Sequence, residues 1–75
     1  MSFQAYLDNI KTKTGNSADD FKAMAEQNGF TQDGELKSSV KASDIVKWLK
    51  DDFGLGHGHA TAIYALLKGL KKEGD

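Results

Sequence analysis

The chain of 75 residues contains no cysteine, no proline and no arginine. Without cysteine there is no disulfide staple and no thiolate metal site, and the composition fits a cytoplasmic protein. Without proline, nothing in the chain forces a break inside a helix. Without arginine, bidentate recognition of phosphate, carboxylate or guanine is missing, and anions are met only by lysine point charges and backbone N–H groups. No apolar run approaches the roughly 18 residues needed to span a bilayer, and no charged-then-apolar leader opens the chain, so no membrane association is expected. A net charge of −1 and an isoelectric point near 6.1 argue against a dedicated nucleic-acid binder, which needs a basic surface.

What remains is an ordinary globular composition, with 39% hydrophobic and 28% charged residues. No linker, repeat or low-complexity tract divides the chain, so residues 1–75 read as one small helical domain, with a tail after about residue 72 that should fray. A chain of this size buries only about 60% of the surface that it exposes when unfolded. A stability of about 3–5 kcal/mol is therefore expected.

Helical periodicity appears in four segments. Phe3, Tyr6, Leu7 and Ile10 form one apolar stripe after a Ser2 N-cap, and Gly15-Asn16 stops it. Ser17 and Asp20 form a capping-box pattern ahead of Phe21, Met24 and Ala25. Asn28-Gly29 ends that helix, and Phe30 is placed to fold back over it. A third helix is expected after a Ser43 N-cap, with Ile45, Trp48, Leu49 and Phe53 inward and Lys47, Lys50, Asp51 and Asp52 largely outward. A fourth begins near His57–His59 and carries Ala60, Ile63, Leu67 and Leu70, flanked by Tyr64 and Leu66. Lys68, Lys71 and Lys72 gather at its end, where the helix dipole favours positive charge. Between the second and third helices, Asp33-Gly34 signals a turn. A hairpin is not expected there, because neither flank alternates with period two; Leu36 and Val40 instead suggest a short helix or an ordered loop. The fold class read from this pattern is all-α, a small orthogonal or irregular bundle of about four helices.

Gly54-Leu55-Gly56-His57-Gly58-His59 joins the last two helices. Three glycines at alternate positions cost about 1 kcal/mol each inside a helix, so they mark a tight turn with Leu55 as an inward plug. This turn is the candidate binding site: Gly54, Leu55, Gly56, His57, Gly58 and His59. His57 and His59 are the only candidate metal ligands, and zinc needs at least a third, which Asp51 or Asp52 supplies only if the turn folds back. No metal and no cofactor are expected. One imidazole is expected to cap the helix or bond a carbonyl while the other faces solvent. Thr61 lies near both histidines in sequence, but no carboxylate is placed to orient either, so no catalytic constellation is readable and the chain is expected not to be an enzyme.

Two local resemblances follow from these residues. Gly54-Leu55-Gly56 with Ala60 resembles the helix-hairpin-helix motif, whose turn holds a DNA phosphate on backbone N–H groups. Its usual basic residues are replaced here by His57, Gly58 and His59, and Asp51 and Asp52 lie just upstream. Trp48-Leu49 with a Gly-His pair resembles parts of sterile-alpha-motif interaction domains, at too short a spacing for a member. A longer match runs from Ser2 to about Leu70. The S-F-Q-A-Y-L-x-N-I-K-x-K-T-G segment over Ser2–Gly15, Asp20-Phe21, and the W-L-K-x-D-F-G-L-G-H-G-H-A segment over Trp48–Ala60 resemble a family of small bacterial domains of unknown function. That resemblance implies a bacterial helical domain, alone or fused to another, and no activity.

The functional expectation is a non-enzymatic interaction module that binds a protein partner or a fused neighbouring domain. The second expectation is weak nucleic-acid binding through Gly54–Ala60, which requires Lys47, Lys50 or the Lys68–Lys72 cluster on the same side as the turn.

Overall fold

The computed structural model describes residues 2–75. Four helices, α1 (Phe3–Thr14), α2 (Ala18–Gln27), α3 (Ala42–Phe53) and α4 (His57–Lys68), form an all-α bundle, interrupted by a two-stranded ribbon of β1 (Thr31–Gln32) and β2 (Glu35–Leu36). Helix α4 is the centre: α1, α2, α3 and β2 all pack against it. Its buried residues Ala60, Ile63, Leu66 and Leu67 meet Leu7 and Ile10 of α1, Phe21 and Ala25 of α2, and Ile45, Trp48 and Leu49 of α3 in one cluster. The small side chains at Ala60 and Ala62 suit a helix with neighbours on several sides.

The helix ends follow local chemistry. Ser2 caps α1 by accepting from the Ala5 N–H at 3.2 Å. The α2 box is reciprocal: the Asp20 N–H donates to the Ser17 hydroxyl, and the Ser17 N–H donates to the Asp20 carboxylate at 2.9 Å. After α2 the Phe30 N–H returns to the Ala25 carbonyl at 2.9 Å. That return lays Phe30 against Trp48, with ring centroids 5.3 Å apart. Trp48 also meets Phe53, which meets Phe21, at 6.0 and 5.2 Å. A chain of four rings thus ties α2, α3 and the entry to the ribbon together.

Three expectations are corrected. First, residues 31–36 form a hairpin, pairing Thr31 with Leu36 and Gln32 with Glu35. Asp33 and Gly34 have φ of 55° and 80°, so both central residues are left-handed, as a type I′ turn requires. Two-residue strands are too short to show alternation, so the turn carried the only signal. Ser38-Ser39 is a plain turn, closed by the Val40 N–H on the Lys37 carbonyl, and not a helix. Second, α3 starts after Lys41, not after Ser43. The Asp44 carboxylate accepts from the Lys41 N–H at 2.9 Å, so the aspartate three residues inside secures this end. Third, Leu70 is outside the apolar stripe and 67% exposed. Gly69 adopts φ 82° and ends α4, turning Leu70 off the buried face.

The tail returns to α1, where the Gly74 N–H donates to the Gln4 side-chain carbonyl at 2.8 Å. No helix among the described residues is long and apolar enough to cross a membrane.

Trp48 is buried and Phe53 half-buried, and both sit in the ring chain. Replacing Trp48 with alanine should cost about 3–5 kcal/mol and unfold most of the protein; Phe53→Ala should fall at or below the lower end of that range. Urea titration followed by circular dichroism measures both, and wild-type midpoints would overturn this core. In the hairpin, Gly34→Ala should cost about 1–2 kcal/mol from backbone strain alone, since a methyl group there meets nothing within 4 Å.

Candidate functional site: the junction and groove between α3 and α4

Helix α3 closes on Gly54, which adopts φ 66° and ψ 23°. The Gly54 N–H donates to the Lys50 carbonyl at 3.0 Å, and the Leu55 N–H reaches the Leu49 carbonyl at 3.3 Å. These two bonds complete the end of α3, and Leu55, 3% exposed, is the plug between the helices. Gly56 has φ −71°, which any residue adopts, and stands at the N-cap of α4 with no side chain to accept a hydrogen bond. The first backbone bond into α4 is from the Ala60 N–H to the Gly56 carbonyl. The N–H groups of His57, Gly58 and His59 therefore have no capping acceptor among the described residues, and no acidic residue occupies the first turn.

The six candidate residues are contiguous, but their side chains do not converge. His57 and His59 are two apart on a helix, about 200° around its axis, so they leave α4 in different directions. His57 is exposed, and its carbonyl accepts from the Thr61 hydroxyl at 2.7 Å. His59 turns toward α1, where its ring stands edge-on to Tyr6 with centroids 5.5 Å apart. Its Nε2 atom is buried without a hydrogen-bond partner among the described residues, so neither imidazole caps α4. No group of three histidine, aspartate or glutamate side chains among the described residues is arranged to hold a metal ion.

Beside the junction lies a groove of ≈ 560 Å³ between α3 and α4. Ala42 and Val46 form its α3 wall, Thr61 and Tyr64 its α4 wall, and Lys47, Lys50, Asp51 and His57 its rim. Val46 and Tyr64 are half-buried. Neither Lys47 nor Lys50 makes an ion pair among the described residues. This groove is not visible in the Ile45–Trp48–Leu49 stripe that packs the core. Its signal is a second, weaker row, Ala42, Val46 and Lys50, at i, i+4 and i+8. Lys47 and Lys50 are thus on the side of the turn, and Lys68 and Lys72 sit at the opposite end of α4; Lys71, beyond that end, lines a separate cavity with His57 and Gly58.

The three glycines of the junction differ in what they require. Gly54→Ala should destabilise by about 1–2 kcal/mol through its left-handed backbone. Gly56→Ala should cost about 0.5–1 kcal/mol, since alanine is a poorer N-cap than glycine. Gly58→Ala, in the first turn of α4 with open space around it, should be neutral or stabilising by up to about 1 kcal/mol. Thermal melts of the three variants check this order; equal losses at all three would contradict it.

Comparison with known proteins adds a family and no activity. No curated protein and no solved structure matches the chain. A family described as "Domain of unknown function (DUF4287)" matches residues 2–69, nearly the whole of the helical bundle and the junction within it, and the chain belongs to that family.

Proposed function

We propose that this chain is a non-enzymatic interaction module of the bacterial cytoplasm that docks an acidic amphipathic segment of a protein partner, or of a fused domain, in the α3–α4 groove. The observation that carries this reading is the composition of the groove. Half-buried Val46 and Tyr64 offer apolar contact, while Lys47, Lys50 and the uncapped start of α4 place positive charge around it against Asp51 alone. A helix whose apolar side chains recur at i and i+4 lies into such a groove. Its carboxylates pair with the two lysines and supply the N-terminal cap that α4 lacks. Aromatic and aliphatic anchors in a groove, with charge at the rim, are the usual division between affinity and steering.

The second reading, weak nucleic-acid binding through Gly54–Ala60, draws on the same lysines and the same uncapped N–H groups. Gly54 and Leu55 spend their N–H groups inside the protein, which leaves that cradle only the first turn of α4.

Selection of a random 16-residue peptide library on the labelled protein, followed by NMR titration of the enriched peptides, tests the proposal. Enriched peptides should carry apolar anchors at helical spacing with at least two acidic residues. They should shift Val46, His57 and Tyr64, and they should weaken by about tenfold or more on the double charge reversal Lys47→Glu, Lys50→Glu. Enriched peptides that map to another face, or that ignore the charge reversal, overturn it. A DNA duplex titrated in parallel separates the two readings. Shifts confined to Gly54–Ala60 that vanish between 50 and 200 mM salt would favour the nucleic-acid reading, with the numbers set by phosphate screening (~10-fold or more over that range).

A further inference from the structure

The opposite end of α4 carries a second cleft, of ≈ 680 Å³, between α2, the hairpin and the end of α4. Lys22, Lys68, Lys71 and Lys72 line it, together with Glu26 and Glu35. Four lysines against two glutamates leave an excess of two positive charges, in a chain whose net charge is −1. We infer that this cleft is a binding site for a small polyanion, a molecule bearing two or more phosphate or carboxylate groups.

Three observations support the assignment. None of the four lysine side chains makes an ion pair or hydrogen bond among the described residues, although two carboxylates line the same cleft. Lys22 precedes Glu26, the acid of its own helix that lines the cleft, by one helical turn, which is the poorer order for pairing along a helix. The dipole of α4 accounts for Lys68 in its last turn, but it makes no demand on Lys22, which arrives from a different helix. The four lysines thus come from two separate parts of the chain to the lining of one concavity, Lys71 standing between it and a neighbouring cavity that Asp75 lines. The size of the cleft lies within the ~300–1,000 Å³ of small-molecule sites. In the absence of arginine the recognition is by point charge, which suits a compact, multiply charged ligand and makes binding sensitive to salt.

The site is independent of the α3–α4 groove and is tested separately. Sodium tripolyphosphate and sodium citrate are titrated into the labelled protein at low salt, each against sodium chloride of equal ionic strength. Saturable shifts at Lys22, Gly34, Gly69 and Lys71 with either anion are expected. The affinity should fall by about tenfold in the Lys22→Gln, Lys71→Gln double variant. It should be unchanged in the Lys11→Gln, Lys13→Gln variant, which removes two lysines at the end of α1. All four positions are exposed, and thermal melts confirm that both variants fold. Tighter tripolyphosphate identifies a phosphate ligand and tighter citrate a carboxylate ligand, and both support the site. Shifts that never saturate, equal losses in the two variants, or a response to duplex DNA with none to either small anion would overturn it.

Discussion

Everything in this fold depends on α4 being buried along most of its length. The other three helices and the second strand each reach the core by packing on it, and Ile63 has no exposed surface at all. A chain this short has little apolar area to bury, and placing one helix where four elements can share it makes the most of that area. The arrangement limits the side chains of α4. The small Ala60 and Ala62 share its buried surface with the larger Ile63, Leu66 and Leu67. Polar character is left to the ends of the helix and to the side that Thr61 and Tyr64 present to the groove, and the two candidate sites lie there.

The two ends differ in how their backbone groups are satisfied. At the C-terminal end, Gly69 and Leu70 return their N–H groups to the carbonyls of Leu66 and Ala65, and lysines gather beyond them. At the N-terminal end no side chain answers the N–H groups, although Ser2 and the Ser17–Asp20 pair perform that task for α1 and α2. A helix start without a cap forgoes roughly 1 kcal/mol. Here it adjoins a groove with apolar walls and unpaired lysines, so external carboxylates would meet both kinds of positive charge at once.

Much of the fold was legible because it is written in local chemistry. Ser2, the Ser17–Asp20 box, Gly15 and Gly54 mark helix ends by hydrogen bonds within a few residues, and the Ile45–Trp48–Leu49 spacing states which side of α3 is buried. Legibility failed where two local signals competed or a signal was too short. Ser43 is a better N-cap by residue type than Lys41, but the Asp44 carboxylate bonds the Lys41 N–H and draws the start of α3 earlier. The strands of the hairpin hold two residues each, below the length at which alternation exists. Leu70 obeys the period of α4, yet a glycine one position earlier ends the helix before that period applies. Of the candidate site, the Gly54–Gly56 turn and its plug were readable, but Gly58, expected in the turn because glycine is costly in a helix, lies in the first turn of α4 with His57 and His59, whose separation follows from helix geometry. The groove was not readable, because its walls belong to two helices whose relative placement is set by core residues on their other faces.

The bond between Gly74 and Gln4 has a topological consequence. It brings the last residues of the chain beside the first turn of α1, so the path of the backbone nearly closes on itself. The bundle therefore holds Gln4 and Gly74 side by side. Grafted into a loop of another protein, it would leave the flanking strands or helices of its host side by side and undisturbed. The same closure allows the order of its helices along the chain to be permuted, with new ends opened at the exposed Asp33-Gly34 turn and the core around α4 retained.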